Sequence, residues 1–183
     1  MTQRFAPMRV VATGDLSLEP QLAAHAADIF EVLSDSAIYE YENEPPSSPA
    51  WLTDRYTRLE SRQSADASQQ WLNWVIRLPG GTLAGYVQAT IYSDARAAIA
   101  YVLGSRYWGQ GLARRAVRAM IRELAAHHGV RSFSAVLKRN NYRSTGLLER
   151  LGFAPATAAR CIELDTETDE LAYVLERAED LLE

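Results

Sequence analysis

The chain has 183 residues, 48% of them apolar, enough to build the core of one domain of ordinary size spanning 1–183. A net charge of −4 argues against a general nucleic-acid binder, and a single cysteine, Cys161, excludes a disulfide framework, a Cys/His zinc pattern and a redox pair. No apolar stretch approaches the roughly 20 residues that cross a bilayer, and residues 1–7 lack the apolar core of a signal peptide, so the expected setting is the cytoplasm.

In chain order, Leu16 to Pro20 reads as a first strand. Gln21 to Leu33 reads as a helix, with Leu22, Ala26, Ile29, Phe30 and Leu33 at helical spacing. Asp35 to Pro49 is a loop rich in acid, serine and proline. A second helix is expected over Ser48 to Arg62, with Pro49 in its first turn. Trp71 to Leu78 and Leu83 to Tyr92 then read as strands joined by the turn Pro79-Gly80-Gly81, and Ala97 to Leu103 as a third strand of the same meander. A glycine turn, Arg106 to Ala113, leads into a long amphipathic helix, Leu112 to His128, with Gly129 placed to cap its end. Val130 to Leu137 is a strand and Tyr142 to Leu151 a short helix. Glu170 to Leu175 is a last strand before a charged tail. This order predicts an α/β (α+β) fold, a mixed central sheet of about six to seven strands flanked by helices. The strands on either side of the long helix can run parallel, because a helical crossover of that length permits it.

Strand, glycine-rich turn and helix start form a local architecture suited to a phosphate. Glycines let the backbone approach the ligand, and the helix N-terminus favours negative charge. Charge is distributed to match. Residues 101–150 hold ten Lys/Arg and two Asp/Glu, a net +8, whereas the remainder carries −12. That block fits one polyanionic ligand held locally, or a helix with a solvated arginine face. A nucleotide triphosphate site is disfavoured, because the turn lacks the Gly-x-x-x-x-Gly-Lys-(Ser/Thr) lysine.

Two further motifs follow: Asn141-Tyr-Arg-Ser144 and Leu151-Gly152-Phe153, with eight residues from Ser144 to Gly152. With the glycine turn, Leu83-Ala-Gly85-Tyr-Val87 and the order of elements, they resemble the GNAT superfamily of acyl-CoA-dependent N-acetyltransferases. Within it they resemble the branch of ribosomal-protein N-terminal acetyltransferases. The resemblance implies acetyl-CoA as co-substrate, no metal, and strands four and five splayed to admit the pantetheine arm. It assigns the pyrophosphate to Arg106, Trp108, Gly109, Gln110, Gly111, Leu112 and Ala113, and the pantetheine to backbone groups of Tyr101, Val102 and Leu103. It places Asn141 against the pantetheine or the helix start, and Ser144 beside the thioester sulfur as the donor to the leaving group.

Each assignment has a plainer alternative. Asn141 is a favoured N-cap residue, serine is common in a helix's first turn, and Trp108 can pack under the turn. His127 and His128 suit a helix C-terminus without catalysis.

The general base is where the chain departs from the family pattern. A glutamate is expected on strand four, but position 98 is alanine, and Glu149 stands where many members carry a tyrosine. A water chain, or one of Glu40, Glu42 and Glu44, is left to take the proton. The function implied is acetyl transfer to a primary amine by direct attack in a ternary complex. The acceptor is a small molecule or a peptide or protein N-terminus, with neither nucleic acid nor membrane as partner. The alternative is a non-catalytic acyl-CoA-binding module. Exposed strand edges leave room for a homodimer.

Overall fold

A computed structural model describes residues 7–176. The elements are β1 (Val11–Thr13), β2 (Leu16–Pro20), α1 (Ala26–Leu33), α2 (Pro49–Leu59), β3 (Gln69–Arg77), β4 (Leu83–Tyr92), β5 (Arg96–Leu103), α3 (Leu112–His128), β6 (Ser132–Lys138), α4 (Tyr142–Arg150), β7 (Ala154–Pro155), α5 (Ala158–Glu163) and β8 (Glu170–Leu175). The strands form one sheet in the order β1-β2-β3-β4-β5-β6-β8-β7. Only β5 and β6 pair in parallel, and α3 connects them.

Alternation along β3 divides the core. Leu72, Trp74 and Ile76 point to the face covered by α3, while Val75 points to the face covered by α1 and α2. Along α3, Leu112, Ala116, Met120, Ile121 and Leu124 recur at helical spacing and are buried against the sheet. Helix ends follow from their residues. Ser48 Oγ accepts from Trp51 N at 3.1 Å, with Pro49 at the first helical position of α2. Gly129, at φ 68°, closes α3 in the left-handed conformation, and Val130 N donates to Leu124 O at 3.2 Å.

Gly85 marks a close approach. Its φ is +155°, and a Cβ there would lie 2.0 Å from the carbonyl oxygen of Val102. A side chain is therefore incompatible with the pairing of β4 and β5, and the register of β3 against β4 shifts at the same point.

The sheet has eight strands rather than six to seven, because β1 and β7 add three and two residues. Strands that short show no readable alternation. The splayed pair expected as strands four and five is consequently β5 and β6. A 3-10 turn, Ala23–His25, precedes α1, so the first α-helix starts at Ala26 rather than Gln21. A further 3-10 turn, Ser36–Tyr39, sits in the acidic loop, and α5 lies between the short helix and the last strand, where the sequence predicts no element. The charged tail lies outside the described residues.

Candidate active site

The site begins where two strands part. β5 and β6 pair through only three residues each, Arg96–Ala98 with Ser132–Ser134. β5 stays paired to β4 as far as Leu103, and β6 stays paired to β8 as far as Lys138. From Ile99 and Ala135 onward the two halves of the sheet diverge. Backbone groups of β5 that face the gap therefore have no strand partner there. Such an edge can accept an extended ligand as an added strand.

The glycine turn stands at the end of β5. Tyr107 and Trp108 donate back to Gly104 and Ser105, so the chain reverses in a 3-10 turn. Gly109 (φ 73°) and Gly111 (φ 70°) both occupy the left-handed region, and Gly111 is the N-cap of α3. Side chains hold this shape. Gln110 Nε2 donates to Arg106 O at 2.9 Å, and Arg115 Nη1 donates to Gln110 O at 3.2 Å. Among the described residues no acceptor meets the N–H groups of Gly109 to Arg114, the first intrahelical bond being Arg115 N to Gly111 O. These orphan donors, at the positive end of a 17-residue helix, fit a pyrophosphate.

The gap opens into a cavity of about 420 Å³ bounded on one side by β5, β6 and α4 and on the other by α1, α2, β4 and the acidic loop. Tyr101, Val102, Asn141 and Ser144 all line it. Asn141 caps α4, its Oδ1 accepting from Ser144 N at 3.1 Å, so that capacity is spent on the helix start. The Tyr101 hydroxyl donates to Ser144 O at 3.4 Å. Burial pushes the Tyr101 phenol up to about 12, with the Ser144 contact opposing, so it is protonated at neutral pH.

The remaining expected residues sit at the turn but not equally open to a ligand. Trp108 packs against the core and donates Nε1–H to Leu103 O at 3.0 Å, which occupies that carbonyl. The side chains of Leu103 and Leu112 are buried, leaving Leu112 only its N–H for binding. Arg106 is exposed, its guanidinium 4.8 Å from the Tyr107 ring centre, and Ala113 packs against the core.

The carboxylates separate clearly. Glu40 is held by Arg143, whose guanidinium also lies 4.2 Å from the Trp108 ring centre and 5.6 Å from that of Tyr41. That clasp ties the acidic loop to the glycine turn. Glu42 and Glu44 line the cavity instead. Partial desolvation raises the Glu42 carboxyl above its ordinary value; the Lys138 charge opposes this and Glu170 adds to it. Glu149 is exposed on α4 and accepts from the Tyr173 hydroxyl at 3.2 Å, away from the cavity. Ala98 lies in the paired part of β5, before the gap. The sequence reading missed the far wall, where Tyr39, Arg55, Tyr56 and Tyr86 face the same space. Their aromatic and charged character was visible, but no local pattern joins α2 to β4.

His127 and His128 lie 3.9 and 4.0 Å from Glu123, at the other end of α3. Glu123 is buried and paired with Arg9 at 2.7 Å. Among the described residues there is no cluster of groups that could hold a metal ion, and no helix long and apolar enough to cross a membrane.

A family model described as an acetyltransferase (GNAT) domain matches residues 15–154. Solved structures with a similar fold include an acetyltransferase (GNAT family) from Bacillus anthracis, 19% identical, TM-score 0.73, covering 93% of this chain and 99% of that one. A second is the ribosomal L7/L12 alpha-N-protein acetyltransferase RimL in complex with coenzyme A, 16% identical, TM-score 0.77, with coverage of 93% and 99%. A third is the ribosomal-protein-S5-alanine acetyltransferase from Vibrio fischeri, 16% identical, TM-score 0.76, with coverage of 93% and 97%. No curated protein matches the sequence.

Proposed function

The chain belongs to the GNAT acetyltransferase family, and on that premise we propose that it transfers an acetyl group from acetyl-CoA to a primary amine by direct attack in a ternary complex. The observation that carries the reading is the parting of β5 from β6 between the glycine turn and a cavity lined by Ser144. One end of that path offers unpaired N–H donors and the other Ser144, which lines the cavity.

The residues divide the work as follows. N–H groups of Gly109 to Ala113 hold the pyrophosphate. Backbone groups of Tyr101 and Val102 pair with the pantetheine arm along the unpaired edge of β5. Bound acetyl-CoA supplies an activated carbonyl: the amine nitrogen bonds to its carbon, the carbon–sulfur bond breaks, the amine's proton passes to a base, and the released thiolate is protonated. An N–H on the β5 edge polarises the carbonyl oxygen. The Ser144 hydroxyl donates a hydrogen bond to the departing sulfur, which takes up its proton from the base or from solvent. A primary amine is mostly protonated at pH 7, so a base is needed. Glu42 takes that role, directly or through water, since it lines the cavity and partial desolvation favours its protonated form over that of a free carboxylate. Holding amine and acyl donor together supplies much of the remaining acceleration.

The test is release of free thiol from acetyl-CoA across a panel of amines: polyamines, aminoglycosides, free amino acids and peptides. Amine-dependent release supports the reading. Tight CoA binding with no release for any amine makes the chain an acyl-CoA-binding module, the outcome that Ala98 in place of the family glutamate would favour.

A further inference from the structure

The far wall of the cavity carries a group of donors that the acetyl-transfer chemistry does not use. Arg55 is the one cation among the cavity's described lining residues, which also include the carboxylates Glu42 and Glu44. Among the described residues no carboxylate pairs with Arg55, and its guanidinium rests 5.7 Å from the Trp51 ring centre. Its charge acts on the hydroxyls of both Tyr56 and Tyr86, and the charge of Glu42 acts on Tyr86 with the opposite sign. The two unlike charges thus both act on Tyr86, which lines the same cavity.

Two buried polar groups line the same cavity. Tyr56 is 3% exposed and its hydroxyl has no hydrogen-bond partner; Gln21 is also 3% exposed and its Nε2 has none. Both residues line the cavity. A buried donor left without an acceptor is destabilising, and a ligand in the cavity can supply the missing acceptor. A guanidinium, an unpartnered phenol and an unpartnered amide together ask for a ligand with oxygen acceptors and negative charge. A planar carboxylate suits a guanidinium best, through two parallel hydrogen bonds.

We propose that the acetyl acceptor is a free amino acid, its carboxylate bound by Arg55 and Tyr56 and its amine turned toward Glu42. This rests on the amine-acetylation reading above and narrows it. A polyamine or aminoglycoside brings no anion for Arg55. A peptide N-terminus presents an amide carbonyl where the carboxylate would lie.

The test uses matched pairs: the twenty L-amino acids and their α-carboxamides, titrated calorimetrically into protein saturated with CoA, with thiol release from acetyl-CoA followed in parallel. At least one acid is expected to bind about tenfold or more tightly than its carboxamide, the worth of one charge-assisted hydrogen bond. Arg55→Gln brings that ratio close to one, and Tyr56→Phe lowers it while keeping the ring in the core. Equal binding of acids and carboxamides across the panel overturns the inference, as does a ratio that both variants leave intact. The two readings fail separately. Thiol release without preference for the acid overturns the carboxylate site alone. Acid-selective binding without thiol release supports the carboxylate site and counts against acetyl transfer.

Discussion

Replacing Gly111 separates the backbone's role from the ligand's. Gly111 sits at φ 70° and ψ 5° as the N-cap of α3. An added Cβ would lie 3.3 Å from Arg115 Nη1, the far end of a flexible side chain that can yield. Gly111→Ala therefore costs chiefly the left-handed conformation, about 1–2 kcal/mol for an L-residue. In a domain of this size that lowers Tm by roughly 2–8 °C. Gly111→Trp carries the same backbone cost and adds an indole over the free N–H groups at the start of α3. Losing two charge-assisted hydrogen bonds to a pyrophosphate, each about 1.5–3 kcal/mol, weakens CoA binding by more than about 100-fold. Thermal melts and calorimetric titration with CoA read the two effects apart. The expected pattern is similar Tm values for the two variants and CoA affinity lost mainly in the tryptophan variant. If Gly111→Trp binds CoA with the affinity of Gly111→Ala, the turn does not hold the pyrophosphate.

Ser144→Ala should lower kcat about 10–100-fold, the worth of one hydrogen bond to a developing thiolate, with much less effect on CoA affinity; unchanged kcat makes Ser144 structural. Asn141→Ala should cost about 0.5–2 kcal/mol in chemical denaturation by removing the cap of α4, and Asn141→Asp should restore most of it. Glu123 bears on acid stability. Burial raises its carboxyl, but the Arg9 hydrogen bond and charge, helped by His127 and His128, outweigh this and leave it below its ordinary 4.5. A depressed carboxyl stabilises the fold above its unfolded value and loses that contribution as pH falls through the folded one. Urea melts from pH 7 to pH 3 should therefore show an acid-side loss below about pH 4.5 that Glu123→Gln reduces.

Much of the donor half of the site was legible because its signals are local. Gly111 and Gly129 bracket α3, and the apolar period between them sets its buried face, so its bounds follow from neighbouring residues alone. Asn141 and Ser144 lie three positions apart on one helix start, where a cap is a property of the chain itself. The sequence could also say that a carboxylate stood among Glu40, Glu42 and Glu44, but not which one faced the site. Only the fold decides that, by bringing Arg143 from α4 to hold Glu40 while Glu42 and Glu44 line the cavity.

The gap itself is likewise tertiary. β5 and β6 both read as ordinary strands, and nothing in either run shows that their pairing ends after three residues. The same holds for Arg55, Tyr56 and Gln21, which meet Tyr86 across α2, the end of β2 and β4. Helix caps and periodicity are written in residues a few positions apart. A cavity wall depends on which distant surfaces the packed sheet brings face to face, and that depends on the whole core.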